Sequence, residues 1–294
     1  MTPKFSILVV TLNAALEIER TIKSVQSQTY SNYEVIVKDG KSKDNTLLFI
    51  PKDERYRVYV KEDKSVYDGM NQALDMAKGE YIIFLNAGDM FYEPDTLKKV
   101  EEYIEKNNIK GKCVLYGDYS RNGEFIQLQK RNLDDFYLYR SPLCHQSIFY
   151  SRDIFENQVR YDTKYKISAD HDLTLKIWKN NIPFYHLGTI VCTYKGAGIS
   201  ETRTGLNTAK REKAEIVKKY YSGTHRIVYN FIIACSLSSV RAWMVSNKSP
   251  EFVRKSYRKI RNSFMKWGGW DMYYIYPKLS EKDGILFRLG GAGL

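Results

Sequence analysis

An apolar run that stops abruptly at a polar turn constrains this chain more than any other feature. Residues 79–89 read GEYIIFLNAGD. Positions 81–85 are consecutively apolar, bounded by Gly79 and Asn86. Such a run fits a strand buried on both faces, as in a parallel sheet flanked by helices. In open α/β sheets, ligands gather beyond the carboxyl ends of the strands. Asp89 falls there, where a carboxylate can hold a hard cation or a polar ligand. Asn-Ala-Gly-Asp also suits a plain turn, and the neighbouring stretches decide between these readings.

The stretches before it repeat the design. Residues 5–10 form a first apolar strand. Asn13 is placed to cap the next helix, which carries Ile18, Ile22 and Val25 on one face. Residues 33–37 are a second strand, ending in Lys38-Asp39-Gly40, and residues 56–60 a third. Val66, Met70, Ala73, Leu74 and Ala77 make one helical face, which Gly79 stops. The first ninety or so residues therefore read βαβαβαβ, a doubly wound, mostly parallel sheet. Each strand end delivers polar groups to one edge: Thr11 and Asn13, then Asp39, then Asp89.

Further along, residues 118–131 predict a hairpin about Asn122-Gly123. His145 and Gln146 stand just ahead of an apolar strand. Asp170, His171 and Asp172 open a helix, and residues 183–194 form a last strand. Its following loop carries Lys195 and, beyond it, Arg203, placed to close over a diphosphate.

From about residue 207 the composition shifts. Between Arg226 and Lys266 nine basic residues face one acid, Glu251, with Trp243 among them and Trp267 and Trp270 just beyond. No clean 18-residue apolar span exists there, which argues against a transmembrane helix. A basic, aromatic-rich segment suits an anionic membrane surface; ordinary packing helices with solvated faces would look the same. The expected division is a nucleotide-binding catalytic domain over 1–205 and a helical basic region over 206–294. The net charge of +12 calls for an anionic partner. Acids converging on one sheet edge would repel a nucleic-acid backbone, so none is expected. Four scattered cysteines without Cys-x-x-Cys spacing exclude a zinc or disulfide framework and fit a reducing compartment. The opening residues read as a strand and not as a signal peptide, so the expected place is the cytoplasm, peripherally at the inner face of the membrane.

These residues suggest a chemistry. Asp39 can accept a hydrogen bond from a planar base. Asp89 can hold a divalent cation, with phosphate oxygens and water completing its shell. Lys61 and Lys64 can face a diphosphate. Asp170, at a helix start that favours its charge, can act as general base towards a hydroxyl. Asp172 competes for that role. His145 and Gln146 are candidates for acceptor contact, and His145 also for the metal. His186 is a further metal candidate.

The stretches at 9–46, 64–89 (KSVYDGMNQALDMAKGEYIIFLNAGD) and 168–177 (SADHDLTLKI) together resemble the inverting glycosyltransferases of family 2, which have the GT-A fold. The resemblance covers most of the first two hundred residues. It implies a nucleotide-sugar donor, expected to be UDP-linked, and Mg²⁺ or Mn²⁺ as cofactor. It implies a glycan or lipid-linked acceptor, of the kind used in surface-polysaccharide synthesis. Thr11, Asn13, Asp39, Lys64, Asp68, Asn71 and Asn86 would line the donor site, Asp89 would hold the metal, and Asp170 would be the base. Two positions depart from the family pattern: Gly88 and Ala169 stand where acids are usual. The motif of processive synthases, Gln-x-x-Arg-Trp, is absent. A nucleotidyltransferase would want a glycine-rich stretch where TLNAALEIER stands. A non-catalytic nucleotide-sugar or anionic-polymer binder is the alternative from another class.

Overall fold

The computed structural model describes residues 2–156, 158–196, 202–235, 249–256 and 275–277. Strands β1 (Phe5–Thr11), β2 (Tyr33–Asp39), β3 (Tyr56–Val60) and β4 (Tyr81–Phe84) pair in parallel in the order β4-β1-β2-β3. Every residue of β1, β2 and β4 is buried, as their largely apolar runs predict, Glu34, Lys38 and Asp39 of β2 included. Helix α1 (Ala15–Gln26) follows β1, a 3-10 turn (Thr46–Phe49) follows β2, and α2 (Val66–Leu74) follows β3. The sequence pattern predicts a helix where the 3-10 turn stands. Only Thr46 of that turn is buried, too little apolar surface to sustain a longer helix.

Past β4, the short β5 (Met90–Phe91) leads to α3 (Thr96–Lys106), whose Leu97, Val100 and Ile104 face inward. Strands β6 (Val114–Arg121) and β7 (Phe125–Gln127) form the expected hairpin, with Asn122 and Gly123 both at positive φ, 55° and 72°. After α4 (Asp135–Arg140), β8 (Ile148–Ser151) enters antiparallel between β4 and β6. Helix α5 (Ala169–Lys179) precedes β9 (Phe184–Tyr194), which runs parallel to β6 and clips β5. The hairpin continues to β10 (Ile275–Pro277).

Helices α6 (Arg203–Tyr220) and α7 (Gly223–Cys235) follow. Ile216, Val217 and Tyr221 join the buried cluster that contains Leu8, Ile36, Phe84 and Leu173, so the chain through Tyr221 shares the core of the sheet. Most of the basic run, with Trp243, Trp267 and Trp270, lies outside the described residues.

Candidate active site

Three chain crossings deliver the site. The first is the β1–α1 corner. Asn13 does not cap α1, contrary to the sequence expectation: the cap position is Ala14, and Asn13 has a φ of 48°. The first turn is capped from a distance. Ala14 N donates to Thr46 Oγ1 at 2.8 Å and Ala15 N to Asp44 Oδ2 at 3.1 Å. Asp44 thus serves both its own turn and α1, and these hydrogen bonds, that of the Thr46 hydroxyl first, lower its pKa. Asn13 instead ties the corner to the β2 loop: its N–H donates to Ser42 Oγ, and its Oδ1 accepts from Lys43 N, both at 2.8 Å.

Asp39 ends β2, fully buried. Its Oδ1 accepts Ser42 N at 2.8 Å and its Oδ2 accepts Ser42 Oγ at 2.5 Å. Beneath it lies a pair absent from the sequence reading. Lys38 is fully buried and donates to Asp63 Oδ2 at 2.6 Å. Asp63 fits because Gly40 and Gly69 leave room: a Cβ on either would lie 2.9 and 3.2 Å from Asp63 Oδ2. A lysine whose partner is 25 residues away leaves no local signature in the sequence.

The second crossing is the α2 start. Ser65 accepts Asp68 N, while Asp68 Oδ2 accepts Lys64 N at 2.9 Å, a reciprocal cap. The Asn71 amide is spent on the backbone of Tyr161, giving at 2.9 Å and accepting at 3.0 Å. Lys64 is exposed. Of the expected donor-site residues, Asp68 is thus held by its own helix start and Asn71 by the distant backbone of Tyr161, whereas Thr11 and Asn86 keep unused capacity. Thr11 Oγ1 and Asn86 Oδ1 are buried without a hydrogen-bond partner.

The third crossing gathers the chemistry. Gly88, at φ 102°, turns the chain after β4 and donates its N–H to Thr21 Oγ1 at 2.8 Å. An acid here would be strained, which gives the departure at this position a physical reason. Asp89 follows, 6% exposed, bonded by the Gln146 side chain and the main chain of Lys195. Burial, opposed by nearby His145 and these hydrogen bonds, pushes its pKa up to about 6. His145 sits in a 3-10 turn (His145–Ser147) fixed by Gln129, which accepts Cys144 N and donates to Ser147 Oγ. The His145 ring lies 3.5 Å from Asn86 Nδ2 and 3.8 Å from Asp170 Oδ2. So Asp89, from the sheet, and Asp170, from the first turn of α5, meet at one imidazole.

Asp170 lies beside a wall of tyrosines. The pKa values of Tyr67, Tyr150 and Tyr161 are raised, by burial first and with the Asp170 charge among the further causes. Asp172, two residues on, points elsewhere: fully buried, it takes Lys219 Nζ at 2.8 Å and the Tyr220 hydroxyl at 3.1 Å. It is a seam residue between α5 and α6. His171 is likewise structural, buried against Leu138 O at 2.7 Å. His186 is no metal ligand, since Nδ1 accepts Gly188 N and Nε2 therefore donates to Asp118. Lys195 pairs with Glu17 at 3.1 Å, and Arg203 begins α6.

A carboxylate whose charge is costly, an orphaned amide oxygen beside it and a second carboxylate with a free oxygen make a place for a cationic or phosphate-bearing ligand. Residues 6–169 match the sequence profile of glycosyl transferase family 2. The chain belongs to that family. A PGL/p-HBAD biosynthesis glycosyltransferase of Mycobacterium tuberculosis is 33% identical over 217 residues, covering 71% of this chain and 84% of the relative. Among solved structures, Staphylococcus aureus TarS 1–349 in complex with UDP-GlcNAc superposes with a TM-score of 0.58 at 18% identity, over 83% of this chain and 76% of that one. A Pyrobaculum calidifontis mannosyltransferase in complex with GDP-Man and Mn²⁺ gives 0.51 at 19%, over 66% and 57%. The fold of this family-2 enzyme is therefore GT-A, and the enzyme is a glycosyltransferase.

Among the described residues no group of three His, Cys, Asp or Glu could hold a metal alone. Asp89 with the free Asn86 oxygen beside it does fit an ion that takes one carboxylate and completes its shell with diphosphate and water.

Proposed function

We propose that this family-2 enzyme moves a sugar from a nucleoside-diphosphate donor, with uracil as the base, to an acceptor hydroxyl with inversion. The observation that carries this is the meeting of Asp89 and Asp170 at His145. Asp170 takes the acceptor proton as the oxygen attacks the anomeric carbon. The bond to the diphosphate breaks on the opposite face, and the nucleoside diphosphate leaves. A Mg²⁺ or Mn²⁺ ion at Asp89 would neutralise that leaving group.

Asp39, Ser42 and Thr11 form the base and ribose end of the donor site in this reading, with Asn86 towards the sugar. The bound donors of the TarS and mannosyltransferase complexes support a nucleotide sugar here. The mycobacterial relative is named for PGL/p-HBAD biosynthesis, which supports a biosynthetic transfer; the acceptor in this reading is a glycan or lipid-linked hydroxyl met at the inner face of the cell membrane. Residues 1–205 would carry catalysis, and 206–294 would be an appended region that begins within α6 and packs on the catalytic core through Ile216, Val217 and Tyr221.

A thermal-shift panel of nucleotides and nucleotide sugars, with and without Mn²⁺, tests the reading. UDP and one UDP-sugar should raise Tm, more so with Mn²⁺, and Asp89→Ala should remove the metal-dependent increment alone. Equal loss with and without metal would remove Asp89 from that role.

A further inference from the structure

Helix α7 carries an apolar face that stands open to solvent. Tyr229 holds the helix to the body, its ring edge-on to Phe136, Tyr139 and Tyr221 at 5.2, 5.1 and 6.0 Å. Asn230 Oδ1 accepts the Tyr139 hydroxyl at 2.8 Å, and Ile233 packs against the core. At about 100° per residue the opposite arc is Ile227, Phe231, Val228 and Ile232. These are 71, 68, 47 and 42% exposed. A contiguous apolar arc of this kind marks a contact surface.

Charge selects what covers it. Helix α7, GTHRIVYNFIIAC, contains no acid and includes Arg226. Exposed Arg140 lies over the Phe136 ring at 5.5 Å, at the foot of the helix. The nearby acids Asp134 and Asp135 are already paired with Lys130 and Lys179. Counting Arg226, the sequence from 226 to 266 holds nine basic residues against one acid. A second copy would bring like charge against like, which disfavours a dimer through this face. Thirteen residues span about 20 Å, short of the roughly 30 Å hydrocarbon layer. No helix among the described residues is long and apolar enough to cross a membrane. A short helix with an apolar arc and basic flanks lies in the plane of a bilayer.

We propose that α7 seats the protein on an anionic lipid surface, with Ile227, Val228, Phe231 and Ile232 entering the headgroup boundary and the flanking cations meeting lipid phosphates. This stands whether or not Asp89 and Asp170 have the roles given above.

Sedimentation of the full chain with phosphatidylcholine vesicles, alone or mixed with phosphatidylglycerol, tests it. The protein should pellet with the mixed vesicles and be released by salt. The double variant Phe231→Ser, Ile232→Ser should partition about tenfold less, with Tm and UDP-sugar hydrolysis unchanged. Equal pelleting of variant and wild type overturns the proposal, as does failure of the wild type to pellet. A wild-type dimer that the variant converts to monomer would assign the face to a second copy. A fall in variant Tm without vesicles would mean that residues 236–294 cover the face.

Discussion

The two ends of one parallel sheet treat a buried carboxylate in opposite ways. At the amino end, Glu34 of β2 is buried and saturated. It accepts Ser6 Oγ at 2.5 Å, Lys78 N at 2.6 Å and Gly79 N at 3.1 Å, and pairs with Arg57 at 2.5 Å. At the carboxyl end, Asp89 is as buried, yet burial raises its pKa, and Asn86 Oδ1 and Thr11 Oγ1 beside that edge have no partner. The amino end needs no visitor. The carboxyl end leaves buried polar capacity unmet, which is the kind of local inconsistency expected where a site is built for a ligand. Helix α5 shows a related contrast within one turn: Asp172 is tied into the seam by Lys219 and Tyr220 of α6 at its Oδ1, with Lys176 3.8 Å from its Oδ2, whereas Asp170 turns an oxygen towards the His145 ring at 3.8 Å.

The sharpest way to break the comparison is on α5. Asp170→Asn should lower the transfer rate by about 10²–10⁴ while leaving UDP binding, read by calorimetry, near that of the wild type. Asp172→Asn should leave the rate within a few-fold. A rate loss from Asp172→Asn larger than that from Asp170→Asn would exchange their roles.

At the amino end, Glu34→Ala strands Arg57, Ser6 and two backbone N–H groups. It should cost about 3–5 kcal/mol of stability, read as a denaturant midpoint, with kcat/KM unchanged in the folded fraction.

At the carboxyl end the sign reverses. The folded state holds the Asp89 proton with a pKa of about 6 against an ordinary 3.8. Stability associated with that proton is complete below about pH 4 and is lost as pH rises through 6. Above that, ionisation costs the metal-free protein about 3 kcal/mol. Asp89→Asn should therefore raise Tm at pH 7.5 without metal and match the wild type near pH 4. A lower Tm for this variant at pH 7.5 would contradict a strained Asp89.

The smallest expected effect is at the turn: Gly88→Ala should cost about 1–2 kcal/mol because its φ is 102°.

Much of this was legible in the linear chain. Apolar runs with abrupt polar ends located β1–β4 and placed Thr11, Asp39 and Asp89 on one edge, because burial on both faces leaves an unmistakable composition. The Asn-Gly hairpin was legible for a similar reason, since few residues tolerate its turn. Helix capping was less so. Asn13 has the right chemistry for a cap, but Asp44 and Thr46, some thirty residues on, supply it. His145 and His186 look alike in sequence. One stands between two carboxylates, and the other has both ring nitrogens occupied.

What the sequence by itself determined was the sheet, its polar edge and the family, because strand burial and turn chemistry are local. Tertiary structure alone decided which acid of Asp170 and Asp172 lies beside His145 and which is tied to α6, that Lys38 is buried on Asp63, and that α7 turns an apolar arc outward. Each depends on groups far apart along the chain, and their partners are set by packing, which no local pattern encodes.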